Sequence, residues 1–422
     1  MSTTLSLPGF QDLHALTTDG RLLFVTRIAR LFAYGFLSVV LALYLAEVGL
    51  TDAQIGVLLT LTLAGDTVIS LWITTQADQV GRRRMLIAGA GLMLLAGVLF
   101  ALTRNLALLL IAATVGVISP SGNEVGPFLS IEQAALSQLV SGTRRTHVFA
   151  WYNLVGSFAT ALGALCGGAL AQVLLGMGAS PLNSYRAVVI GYAMMGLLLG
   201  LIFTRLSPGV EVRKTESPTP RQTLLGLHRS RGIVLRLATL FSLDAFAGGF
   251  VVQSIVAYWF HLRFGVSPAV LGGIFFGANI LAGLSALSAA WVAERIGLIN
   301  TMVFTHLPSN ILLMLVPLMP TLPLAIGVLL VRFSISQMDV PTRQSYTMAV
   351  VDPDERSAAS GLTGIARTIG ASLAPLFTGL MLANPAWLGM PFFISGGLKI
   401  VYDLALFRSF CALRPLEETG QT

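Results

Sequence analysis

Along the 422 residues of this chain, apolar runs long enough to cross a bilayer recur from one end to the other, separated by Gly, Pro, Asn or charge. Crossing the hydrocarbon takes about 20 apolar residues as a helix. So much apolar side chain is more than a water-facing surface could carry, so lipid must be the solvent. Composition agrees: 11% of the residues are charged and 55% hydrophobic, with a mean hydropathy of +0.80. Soluble chains carry about a quarter charged residues, so the pattern predicts an all-α membrane protein.

Helices are predicted near 22–46, 54–75, 85–103, 106–138, 147–173 and 184–204, and again near 236–261, 268–291, 299–319, 322–349, 357–382 and 388–410. The one long polar stretch, 205–235, separates the sets. The reading is therefore a tail (1–21), a six-helix bundle (22–204), a linker (205–235), a second six-helix bundle (236–410) and a tail (411–422), with 12 transmembrane helices.

The net charge of +7 would suggest nucleic acid in a soluble protein, but here the arginines gather in short inter-helix loops, which is an orientation signal. Arg82, Arg83, Arg84, Arg144, Arg145, Arg295, Arg356 and Arg408 fall on one side, and Arg104, Arg186 and Arg263 on the other. This predicts a multi-pass protein with both termini in the cytoplasm. The first 20 residues lack a basic start followed by an apolar core, so no cleaved signal peptide is expected. Arginine outnumbers lysine 24 to 2, a composition associated with GC-rich bacteria, and the expected location is a bacterial inner membrane. Cys166 and Cys411 lack any pairing or ligand spacing and read as packing residues, so no metal or other cofactor is expected.

A shift of 216 residues superposes two parts of the chain: Gly49, Gly56 and Gly81 fall on Gly265, Gly272 and Gly297, and the segment 77–81 falls on 293–297. Matching acids and matching helix order point to duplication. The loop at Thr74–Arg84 holds Asp78, Gly81, Arg82 and Arg83 and resembles the GxxxD(R/K)xGRR signature of the major facilitator superfamily; Glu294, Arg295 and Gly297 form a degenerate copy. The resemblance implies two pseudo-symmetric bundles and a latch between them at this loop. Thr74 and Gln79 depart from the signature, which implies a looser latch. The run Gly163, Ala164, Gly167, Gly168 looks like the GPxxGG motif of the superfamily's antiporters without its proline, and small residues at this spacing also serve close helix packing. The signature arginine of the family's fourth helix is absent near Gly116.

Ionisable groups inside the bilayer cost several kcal/mol unless paired or wetted, so each demands a partner or a function. Asp66 and Arg367 stand at similar depths in the second and eleventh helices, which the resemblance packs side by side; they are read as an interdomain bridge. Arg30 and Asp244 occupy corresponding places in the two halves with opposite charge, and either pair or meet a charged substrate. The stretch 119–133, with Pro120, Gly122, Asn123, Glu124, Gly126, Pro127, Glu132 and Gln133, breaks a helix where transporters bind ligands. Glu124 and Glu132 are candidates for substrate or proton binding, against a structural kink with both paired to arginines. The tenth helix adds Arg332, Asp339, Arg343 and Gln344, with Glu132 aligning on Arg343. Lys399 and Asp403, four apart in a helix the resemblance makes peripheral, are read as a mutual structural pair, and His306 as polar packing.

These features predict a monomeric secondary transporter, with a small molecule and protons as its partners, working by proton-coupled efflux. The alternatives are transport of an anionic metabolite in either direction, favoured if Arg30, Arg332 and Arg343 face the cavity unpaired, and a non-transporting sensor or lipid mover. An enzyme is not expected: no GxSxG, HExxH or histidine cluster occurs.

Overall fold

The computed structural model describes residues 16–124, 126–140, 142–211, 229–352 and 355–411. Among them the chain is helical: α1 (Thr18–Ser38), α2 (Leu41–Val48), α3 (Asp52–Val80), α4 (Arg82–Leu102), α5 (Leu106–Val115), α6 (Phe128–Leu139), α7 (Gly142–Gly176) and α8 (Pro181–Phe203). After the linker come α9 (Arg231–Gly249), α10 (Gln253–Phe264), α11 (Pro268–Ile296), α12 (Leu298–Leu315), α13 (Leu322–Ile335), α14 (Asp339–Ala349), α15 (Arg356–Leu382) and α16 (Met390–Phe410). Among the described residues, ten spans are long and apolar enough to cross a membrane, and α1 with α2 adds an eleventh bent by 48°. The broken pair α5 and α6 fills the remaining passage, completing two six-passage bundles.

The breaks follow the duplication. The first, fourth, seventh and tenth passages are each made of two helices, α1/α2, α5/α6, α9/α10 and α13/α14, while each of the others has a single long helix. The fourth break is the longest because Pro120 and Pro127 lack the N–H a helix would use and Gly122 and Gly126 take positive φ. The sequence pattern predicts one passage over 106–138; the structure leaves residues 116–124, 126 and 127 irregular.

Hydrogen bonds define the ends. Asp19 at the start of α1 accepts from Ser207 after α8, and Glu211 accepts from the N–H groups of Arg82 and Arg83 at 2.7 and 3.2 Å. In the second bundle Glu355 does the same for Arg229 and Ser230, both at 2.8 Å. A carboxylate at a helix N-terminus satisfies orphan donors and complements the dipole. We call this the basal end and the opposite one apical.

The bundles meet in the apical half along two glycine seams. A Cβ at Gly56 on α3 would lie 2.5 Å from the Pro375 carbonyl on α15, and one at Gly168 on α7 only 2.2 Å from the Pro268 carbonyl on α11. Described hydrogen bonds between the bundles lie in the same half: Tyr258 donates to Asp52 at 2.8 Å, Gln253 to Ser38 at 2.8 Å, and Ser254 to the Pro120 carbonyl at 2.6 Å. The central space is thus closed apically.

Gly163 and Gly167 bring α7 against α1, where a Cβ would stand 2.0 and 2.1 Å from the carbonyls of Phe32 and Phe36. The Gly163–Gly168 run therefore serves backbone contact on both faces of α7. Cys166 and Cys411, expected to pack inside, are exposed; on a helix that buries its glycine faces, Cys166 is left to the outer surface.

Candidate functional site

Two clusters of buried charge occupy the two bundles. In the first, α1 carries Thr26, Arg27 and Arg30, with positions 26 and 30 on one face. Arg30 and Glu132 are fully buried. The Arg30 guanidinium grips Glu132 with both terminal nitrogens, Nη1 at 2.8 Å and Nη2 at 2.7 Å, and its Nε reaches Glu124 at 2.8 Å. Arg27 reaches Glu124 at 2.6 Å, the Tyr152 carbonyl at 2.8 Å and Asn153 at 3.3 Å. Thr26 donates to Glu132 at 2.8 Å, and the Tyr152 hydroxyl donates to its other oxygen. Rings of Tyr152 and Phe128 lie 4.3 and 4.8 Å from the two guanidinium carbons. Two cations and two carboxylates cancel, and the bidentate geometry is the strong form of such a pair. The cluster ties together α1, α6, α7 and the fourth break.

The second cluster is built differently. Asp244 on α9 accepts from Lys399 at 2.6 Å through one oxygen, and from Arg343 at 3.3 Å and Arg367 at 3.2 Å through the other. Arg343 also reaches Asp339 one turn earlier at 2.8 Å. His306 on α12 contacts Asp403 at 2.8 Å, and Asn310 donates to the same carboxylate at 2.9 Å; the other ring nitrogen of His306 stands 4.0 Å from Asp244. One carboxylate here serves three cations.

Several pairings expected from the sequence are corrected. Asp66 and Arg367 form no bridge: Arg367 turns to Asp244 within its own bundle, while Asp66 accepts from Ser70 at 3.3 Å. The reason is packing. Gly370 sets α15 hard against Ser242 of α9, whereas α15 touches α3 at the apical seam. Arg30 and Asp244 do not pair with each other either, since each finds opposite charge in its own half. Lys399 pairs with Asp244 rather than with Asp403, while His306 packs as a polar side chain against Asp403. Glu124 and Glu132 both sit on arginines.

Other candidates are more loosely placed. Asn123 and Gln344 are exposed and Gln133 half-buried; among the described residues their side-chain amides have no hydrogen-bond partner. Gly81 takes φ +115°, and a Cβ there would press 3.3 Å from Glu211, so the turn between α3 and α4 favours glycine twice over. Arg82 donates to Gln138 at 2.5 Å and to the Val210 carbonyl at 3.3 Å, and Arg83 to the Thr204 carbonyl at 2.5 Å. The described contacts of this turn hold the basal end of the first bundle together. The side chain of Asp78 lies outside the described residues.

Arg27, Tyr152, His306, Lys399 and Asp403 escaped selection as site residues. A signal existed for most of them, namely an ionisable residue within an apolar run.

Within the spans, the buried Asp66 and the half-buried Arg332 make no ion pair among the described residues. Asp66, 8% exposed, has the Ser70 hydroxyl and the Gly126 backbone as its hydrogen-bond partners. Arg332, in the last turn of α13, makes no described ion pair, and its buried Nε has no hydrogen-bond partner.

The sequence model described as Major Facilitator Superfamily matches residues 23–375. An uncharacterized membrane protein of Saccharomyces cerevisiae is 32% identical over 426 residues, covering 94% of this chain and 95% of the yeast protein. Among solved structures, a bacterial homologue of the human lysosomal transporter Spinster, inward-facing and occupied, superposes with a TM-score of 0.71 at 16% identity, over 97% of this chain and 99% of that one. The nucleoside transporter NupG gives 0.72 at 14% identity over 93% and 99%, and a D-xylose–proton symporter 0.71 at 16% over 92% and 97%.

Proposed function

The chain belongs to the major facilitator superfamily, and from that premise we propose that it is a proton-coupled carrier of a small molecule in which Asp66 takes up and releases the coupling proton. Membrane transport by alternating access follows from the family. The proton reading rests on Asp66. A carboxyl buried in a bundle without a cation is held most cheaply in its neutral, protonated form, and it can ionise only when water or a cation reaches it. Asp66 has this environment and stands beside the irregular fourth passage, where Gly65 meets the Thr114 carbonyl and Gly126 contacts the carboxylate. A change in that passage would change its solvation. Glu124 and Glu132 are already committed to Arg27 and Arg30, so we assign them the role of holding the first bundle rather than carrying the proton.

The arginine distribution supports placing the basal end in the cytoplasm of a cell membrane. With the apical seams closed, the structure then corresponds to an inward-facing carrier. We propose export in exchange for protons as its direction. In support, Gly168, in the run that looks like an antiporter motif, forms part of the seam that must open for release on the far side.

The test is uptake of a small-molecule panel into inverted vesicles under an imposed pH gradient. Wild type should accumulate at least one compound in a gradient-dependent way. Asp66→Asn should abolish that dependence while Glu124→Gln leaves it, and unchanged coupling in Asp66→Asn would overturn the assignment.

A further inference from the structure

Among the described residues, the second bundle holds cationic hydrogen-bonding capacity that no protein acceptor takes up. A guanidinium offers five N–H donors in a planar fork. Arg30 and Arg27 in the first bundle engage all three of their nitrogens. Arg367 has one described hydrogen bond, to Asp244 at 3.2 Å, and its side chain is 32% exposed. That contact is longer than the 2.7–2.9 Å usual for a charge-assisted bond. Asp244 cannot serve it better, because the same carboxylate already holds Lys399 and Arg343. Arg332 adds a further cation, within electrostatic reach of Asp244 and Asp339, whose buried Nε has no partner. Four cations, Arg332, Arg343, Arg367 and Lys399, thus face three carboxylates, Asp244, Asp339 and Asp403, and the third of these is occupied by His306 and Asn310.

A surplus cation in a membrane-buried bundle is costly unless something neutralises it. The C-terminal carbonyls of α13 offset part of that cost for Arg332, which stands in the last helical turn. They do nothing for Arg367, which stands in mid-helix on α15. No described residue supplies a further counter-ion for Arg367; an anion from outside the chain would, and a planar or tetrahedral oxyanion fits the open edge of a guanidinium fork.

We propose that the transported molecule carries a carboxylate or phosphate group, docked on the free donors of Arg367 with Arg332 supplying the balancing charge. This deepens the transporter reading given above and rests on it for the word transported, but the anion site itself is testable by binding alone, independently of proton coupling. Docking would draw Arg367 from Asp244, leaving that carboxylate to Lys399 and Arg343, so occupancy of the site and the internal pairing of α9 with α15 are linked.

The experiment is thermal stability of the full-length protein, purified in a neutral detergent at fixed ionic strength, titrated with succinate, inorganic phosphate, lysophosphatidylglycerol and, as neutral control, glucose. Saturable stabilisation by one or more of the three anions and none by glucose is expected. Succinate or phosphate acting alone marks a water-soluble substrate, and lysophosphatidylglycerol acting alone marks a lipid headgroup. Arg367→Gln should weaken the apparent affinity about tenfold or more, the loss of one charged hydrogen-bonding group. Arg367→Lys should weaken it less, keeping the charge and losing the fork. Arg332→Gln should weaken it as well; should that variant fail to fold, Arg367→Gln decides the matter, since its side chain is partly exposed. No stabilisation by any of the anions, or equal stabilisation of wild type and Arg367→Gln, overturns the proposal whether or not Asp66 proves to carry the proton.

Discussion

In the first bundle every guanidinium nitrogen of Arg27 and Arg30 has an acceptor, while in the second Arg367 makes one bond and the Nε of Arg332 none. The helix order, the breaks and the seams are shared. What differs is the ratio of carboxylate to cation within each cluster. Where the ratio is balanced, the charges act as a strut across three passages. Where one carboxylate is divided among three cations, Lys399 is held closely and Arg367 only at 3.2 Å, so an incoming group can compete for Arg367.

The comparison breaks most easily at Glu132. It accepts from Thr26, Arg30 twice and Tyr152, and removing it strands a fully buried guanidinium. Glu132→Ala should destabilise the protein by about 3–5 kcal/mol, measured by thermal or denaturant unfolding in detergent. A loss under about 1 kcal/mol would mean the strut carries no load. Next comes Asp244→Asn, expected to cost about 3 kcal/mol, at the low end of the same range because Arg367 can turn to water. Adding Lys399→Met should recover part of that loss by removing a stranded ammonium. A double variant no more stable than the single one would show that Lys399 is held by something else. The smallest effect is expected for Arg367→Gln alone, about 1 kcal/mol or less, since its contact is long and Asp244 keeps two cations. A loss as large as that at Glu132 would make the two clusters alike.

The spans, the linker and the duplication were legible because lipid imposes a length and a composition on every passage. The irregular fourth passage was legible from Pro120, Gly122, Gly126 and Pro127. The charged residues were visible too, but their partners were not. Lys399 and Asp403 stand four apart, so local spacing supplied a partner that the packed helices override: α16 points Lys399 at α9 and Asp403 at α12. The Asp66–Arg367 bridge failed for a related reason. Depth along two helices can be counted from a sequence, but rotation about each helix axis is set by tertiary contacts such as Gly370 against Ser242. Arg27 was missed beside the more central Arg30, although the two share Glu124.

The glycine seams carry a thermodynamic consequence. Contacts such as Gly56 with Pro375 and Gly168 with Pro268 join main chain to main chain. Closing them immobilises almost no rotamers, and parting them leaves little side-chain surface without neighbours. The glycine contacts themselves therefore add little to the free-energy gap between closed and parted arrangements, which leaves that gap to the few interbundle hydrogen bonds and to a bound solute or a protonation.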